Sequence, residues 1–171
     1  NIKNATGIDG VCDFQRIANV INNASPDVVA VQEVDSVTNR SNQKYVLGEI
    51  AERTQMYACF APAIDYDGGK YGIGLLLKKA PLHLQAIALP GREEARMKSL
   101  EILKTFAASY KKPLFLAGDM NAEPESDFIK ELQKEFRILS NPKQHTFPAP
   151  APKETIDYVA VFKQNDKGFA V

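Results

Sequence analysis

Val28-Val29-Ala30-Val31 is a run of four apolar residues, three of them β-branched, closed by Gln32-Glu33-Val34-Asp35. Such a run reads as a strand buried on both faces, the habit of sheets covered by other layers. Upstream, Asp13 caps a helix in which Phe14, Ile17, Ala18 and Ile21 recur at helical spacing, and Ser25-Pro26-Asp27 ends it with a turn. The same order of helix, apolar strand and polar tip returns later. A helix from about Met97 to Tyr110, with Leu100, Leu103, Phe106, Ala107 and Tyr110 inward, leads to the strand "PLFLAG" and then to Asp119-Met120-Asn121. A chain built this way must bury its strands under helices.

Between the two units of pattern, Tyr45 to Thr54 carries Val46, Leu47, Ile50 and Ala51 on one helical stripe. Asp67-Gly68-Gly69 forms a loop or hairpin turn, followed by extended segments Tyr71 to Lys79 and Leu82 to Leu89. A fourth helix spans about Ser126 to Phe136, with Ile129, Leu132 and Phe136 inward. "FPAPAPKE" reads as an ordered extended loop, and Thr155 to Phe162 as a last strand. The strand-to-strand passage in the middle argues against a purely parallel sheet, so the class expected is a mixed-sheet α/β or α+β layer fold.

A length of 171 residues fits one domain, residues 1–171, and allows roughly two thirds of the unfolded surface to be buried. With 21 basic and 21 acidic side chains the formal charge is zero, which disfavours a large nucleic-acid footprint without excluding nucleic acid as a substrate. Cys12 and Cys59 are too few for a disulfide framework and do not stand at C-x-x-C spacing. No run approaches 18 apolar residues, so no membrane-spanning helix is expected.

Acid or amide groups cluster at the strand tips: Asn1, Gln32-Glu33, Asp119-x-Asn121 and Asp157. Any one alone is an ordinary turn former or cap. Together they suit a hard divalent cation, which takes one or two carboxylates and leaves its other positions to water and substrate phosphate. An Asn adds something a carboxylate cannot, a donor to a phosphoryl oxygen that brings no repelling charge.

"VVAVQEVD", "AGDMNAEP" and "TIDYVAV", in that order, resemble the endonuclease/exonuclease/phosphatase superfamily of deoxyribonuclease-I-like hydrolases. The resemblance implies a four-layer sandwich of two mixed β-sheets flanked by helices, and hydrolysis of a phosphoester with Mg²⁺ or Mn²⁺. It implies Glu33 as direct metal ligand with Asn1 close to metal and substrate phosphate. Asp119 would orient or deprotonate the attacking water, Asn121 would hold the phosphoryl oxygen, and Asp157 would pair with the family's His. Arg40 is a candidate phosphate clamp, since its guanidinium fork matches phosphate oxygens.

The family's first strand before the Asn, a strand bearing T-H near residues 96–97, and the terminal S-D-H segment have no counterpart here, and the chain is expected to be an incomplete version of the domain. Neither histidine follows Asp157: His83 falls in the expected strand Leu82 to Leu89, and His145 in a loop. The expected substrate is a small phosphodiester, a phospholipid head group or a sugar phosphate rather than genomic DNA, and the expected state a monomer. Export is slightly favoured over the cytoplasm. The competing reading is a binding protein that keeps the scaffold without the chemistry; retention of Glu33, Asp119, Asn121 and Asp157 together speaks against it, since mutually repelling acids need a cation to offset them.

Overall fold

The computed structural model describes residues 1–87, 92–148 and 151–169. The chain forms two compact units, Asn1–Ala86 and Ile87–Val171.

In the first unit, α1 (Phe14–Ala24) is capped as expected: the Asp13 carboxylate accepts the Arg16 backbone N–H at 3.0 Å, and Ser25 ends the helix in the left-handed region. Then come β1 (Val28–Ser36), α2 (Val46–Thr54) and the hairpin β2 (Tyr57–Tyr66) and β3 (Gly69–Leu77). Asp67 and Gly68 both take positive φ, 46° and 79°, the demand of a two-residue type I′ turn. Helix α2 buries Val46, Leu47, Ile50 and Ala51, which form one core with Ile21, Val31, Val34 and Leu76.

The second unit holds α3 (Glu93–Ser109), β4 (Phe115–Asp119), α4 (Asp127–Glu135), β5 (Phe136–Ile138) and β6 (Asp157–Phe162). Leu100, Leu103 and Ala107 of α3 and Phe128, Ile129 and Leu132 of α4 join Met120, Phe136, Tyr158 and Phe162 in its core.

The two sheets share one logic. Their orders are β1-β3-β2 and β4-β6-β5, and every described pairing is antiparallel. The outer strands of each sheet therefore run in the same direction and are joined through a helix, while the third strand inserts between them. This is a βαβ crossover split by a returning strand, which reconciles the helix–strand alternation of the sequence with antiparallel ladders.

Three expectations need correction. Leu82 to Ile87 form no strand, and Ala88 and Leu89 lie outside the described residues; the alternating pattern finds no partner ladder, and Leu82 and Leu84 are exposed. β1 is not buried on both faces: Val28 stays exposed, and Val29, Ala30, Gln32, Glu33 and Ser36 are only partly buried. β2 was not expected at all; among the described residues it pairs only with β3 and bulges between Pro62 and Ile64, which lets the strand carry a proline.

Gly72 stands opposite both Val34 and Pro62, where the bulges of β1 and β2 meet. An added Cβ would lie 2.1 Å from the Ala61 carbonyl oxygen. Gly72→Ala is expected to cost about 2 kcal/mol, the typical scale of overpacking. It should appear as a lower urea midpoint with an unchanged denaturant slope.

Candidate functional site

The first cluster sits at the bulge of β1. Val31 pairs with Gly74 and Val34 with Gly72, so Gln32 and Glu33 together oppose the single residue Ile73. Glu33 takes φ +57°, a left-handed conformation costing a non-glycine residue roughly 1–2 kcal/mol. The bulge breaks strand alternation and re-aims the side chains of Gln32 and Glu33, as bulges beside active sites do. The segment bearing Asn1 lies against this point. The Ile2 N–H donates to the Gln32 carbonyl at 3.1 Å, the Asn1 backbone nitrogen donates to Gln32 Oε1 at 2.7 Å, and Asn1 Oδ1 accepts the Lys3 N–H at 2.9 Å. The structure thus brings Asn1 beside Gln32 at the bulge, within β1 rather than at a strand tip. Tyr71 of β3 registers the acid: burial raises its phenol above its usual value, and the charge of Glu33 raises it further.

Arg40 is partly exposed, yet much of its guanidinium is engaged by partners within the protein. Nε and Nη2 donate to the two carboxylate oxygens of Asp35 at 2.7 and 2.8 Å, and Nη1 donates to Tyr66 Oη at 3.3 Å. Its Cζ lies 4.4 Å from the Tyr66 ring centre and 5.5 Å from that of Tyr71. Asp35 is fully buried and also accepts the Thr38 hydroxyl at 2.8 Å. Sequence reasoning missed this network, and only the Asp-to-Arg spacing across a polar loop hints at it.

The second cluster sits where β4 and β6 meet. Asp119 and Asp157 are direct cross-strand partners, so two carboxylates share one face at the end of the ladder. Burial raises the Asp119 carboxyl above its ordinary value near 3.8, the Asn121 N–H acts against that rise, and the charge of Asp157 adds to it. β4 ends at Asp119, so strand alternation does not place Asn121. An Asx turn does so instead: Asp119 Oδ1 accepts the Asn121 N–H at 2.7 Å, and Asn121 takes φ +48°. The Met120 N–H donates to the Ile156 carbonyl at 2.7 Å, continuing the ladder one residue beyond the strand.

Two hydroxyls that the sequence did not single out frame Asp157. Thr146 Oγ1 accepts the N–H of Ile156 at 3.2 Å and of Asp157 at 3.3 Å. Tyr158 Oη lies 2.9 Å from the carbonyl oxygens of both Ala122 and Thr155. Alternation along "TIDYVAV" points to an inward Tyr158, whereas nothing local marks Thr146. His145, beside Thr146, is exposed, and so is His83.

Among the described residues no three His, Cys, Asp or Glu side chains gather as a closed metal cage. The carboxylates present are Glu33 at its bulge and the cross-strand pair Asp119 and Asp157. That chemistry fits a hard cation such as Mg²⁺, which needs one or two protein carboxylates and keeps several waters.

The sequence profile of the Endonuclease/Exonuclease/phosphatase family matches residues 1–163. The chain belongs to that family. Its members are generally divalent-metal-dependent hydrolases acting on phosphoester bonds. No curated protein matches the sequence. An endonuclease/exonuclease/phosphatase from Beutenbergia cavernae is similar in structure, with a TM-score of 0.65 at 16% identity over 95% of this chain and 62% of that one. The endonuclease/exonuclease/phosphatase from Bacteroides vulgatus gives 0.61 at 16% identity, covering 88% and 78%. The catalytic domain of human Nocturnin, solved with a bound sulfate anion, gives 0.57 at 16% identity, covering 88% and 75%. These likenesses establish a deoxyribonuclease-I-like fold. No described helix is long and apolar enough to cross a membrane.

Proposed function

We propose that the chain is a divalent-metal-dependent hydrolase of phosphoester bonds. The observation that carries this reading is the Asp119–Asp157 pair: two carboxylates held in cross-strand register, one of them with its proton affinity raised by burial and by its neighbour. Like charges directly opposite weaken a sheet, and a positive partner or a proton is what makes the arrangement tolerable.

In the proposed reaction Asp119 takes a proton from the attacking water, whose oxygen forms the new bond to phosphorus. A carboxylate with raised proton affinity is a better base for this than an ordinary one. The ester oxygen leaves with its electron pair and takes a proton from solvent. Asn121 donates its carboxamide N–H to a phosphoryl oxygen as charge grows there. Asp157, opposite Asp119 across the ladder, keeps the proton affinity of that base raised. Glu33 and Asn1 are the residues that would hold the cation, which supplies Lewis-acid stabilisation of phosphoryl charge when bound. Three of the five N–H groups of Arg40 are engaged within the protein, leaving two for a substrate phosphate. Zero net charge favours a small phosphodiester, a phospholipid head group or a sugar phosphate over genomic DNA.

The test is hydrolysis of an aryl phosphodiester and an aryl phosphomonoester with Mg²⁺, with Mn²⁺ and with chelator, beside Glu33→Gln. Metal-dependent turnover is expected, lowered about 100-fold or more in the variant, the scale of losing one electrostatic contact to a transition state. Cation binding without turnover would instead favour a binding protein on this scaffold.

A further inference from the structure

Tyr158 follows Asp157 on β6 and turns into the core with Met120, Ala122, Phe128 and Ile129, leaving 2% of its surface exposed. A buried phenol needs an acceptor, and a single carbonyl would satisfy its one proton. Tyr158 instead stands between two, at 2.9 Å each: Ala122, the residue after Asn121, and Thr155, two residues before Asp157. One hydroxyl therefore spans the two backbone turns that carry Asp119-Asn121 and Asp157. Thr146 holds the second turn through the N–H groups of Ile156 and Asp157. Burial, together with the nearby charges of Glu123 and Asp157, pushes the phenol up to about 12, so it remains a donor throughout the neutral range.

We propose that Tyr158 is a positioning residue that fixes the spacing between the turn bearing Asp119 and Asn121 and the turn bearing Asp157. Its consequence for rate rests on the hydrolase reading above. Misplacement of reacting groups by about 1 Å costs on the order of 100-fold in rate, and a lost tether between two turns permits displacements of that size.

The experiment compares Tyr158→Phe, which removes only the hydroxyl, with Phe162→Leu, a core change in the same apolar cluster that leaves the hydroxyl in place. Amide hydrogen exchange reads the tether without reference to activity. In Tyr158→Phe the amides of Asn121 and Asp157 are expected to exchange about tenfold faster while that of Val161 is unchanged, as for a local opening. The kcat of Tyr158→Phe is expected to fall roughly 10- to 100-fold with KM within about twofold, whereas Phe162→Leu lowers Tm and keeps its kcat below that temperature. Unchanged exchange at Asn121 and Asp157, or a kcat that falls in both variants in step with Tm, overturns the proposal. If the wild-type protein cleaves neither ester, the hydrolase reading falls, and the exchange result alone decides the role of Tyr158.

Discussion

Asp119→Asn is expected to lose about 10³-fold in phosphoester turnover, within the range general-base catalysis supplies, while making the folded protein more stable. The two effects share one cause. Asp119 faces Asp157 across the ladder, partly buried, so the charge that suits it to take a proton from water also repels its neighbour. Asn keeps the oxygen that accepts the Asn121 N–H, so the Asx turn survives the substitution and only the charge is removed. Relief of one like-charged cross-strand pair is worth up to about 1 kcal/mol.

The pH dependence gives the prediction its sign. A carboxyl whose folded pKa is raised binds its proton more tightly in the folded state, so its contribution to stability falls as pH rises from the unfolded value near 3.8 through the folded one. The stability advantage of Asp119→Asn should therefore be full at pH 7 and vanish below about pH 3.8, where the Asp119 carboxyl is protonated in the folded and the unfolded chain alike. Urea midpoints of wild type and variant across this range check it. An advantage that persists unchanged at acid pH would show that charge is not its source. Because the comparison is a difference, the carboxylates with lowered pKa values elsewhere, such as Asp166 at about 2, cancel from it.

The sequence showed the helices well because their apolar stripes and caps are local: Asp13 and Ser126 both cap where their types suggest, and Ile21, Leu47, Leu100 and Ile129 all face a core. It also showed that Asp119 and Asp157 stand at strand ends, with Asn121 just beyond, but it put Glu33 at a strand tip where the structure has it inside β1, at a bulge. It did not show how they are held there, because that depends on register. The left-handed bulge at Glu33 lies next to the Val34–Gly72 pair, where β2 also bulges, and the meeting of Asp119 with Asp157 arises from β6 inserting beside β4 across nearly forty intervening residues. The strands β2 and β5 escaped notice for different reasons. β2 contains a proline that only one-sided pairing tolerates, and β5 is three residues long and follows α4 without a turn. The false strand at Leu82 marks the opposite error, an alternating pattern with no edge to receive it.

Arg40→Met should destabilise the protein by about 3 kcal/mol, the low end of the range for breaking a buried pair, since Arg40 is itself partly exposed. The asymmetry of the pair sets the size. Asp35 is fully buried, and without Arg40 it keeps the Thr38 hydroxyl and the Asn4 side chain as its hydrogen-bond partners. Removing the acid instead leaves a guanidinium that still reaches water, so Asp35→Asn should cost less, about 1–2 kcal/mol. In the wild type, burial works to raise the Asp35 carboxyl, but the hydrogen bonds from Arg40 and Thr38 and the charge of Arg40 outweigh it and hold the carboxyl below its ordinary value of 3.8. That contribution is present above pH 3.8 and lost as pH falls through the depressed value. In Arg40→Met, burial acts with far less opposition, the carboxyl moves up, and the contribution inverts. The gap in stability between wild type and variant should therefore be widest at neutral pH and close on acidification, which urea midpoints at pH 7 and at about pH 3.5 would show. Kinetics of the same variant, measured where it remains folded, separate the two duties open to this guanidinium. A KM raised tenfold with kcat intact marks a contact to substrate phosphate, whereas unchanged constants leave Arg40 as the cation that allows Asp35 to be buried beneath the loop following β1.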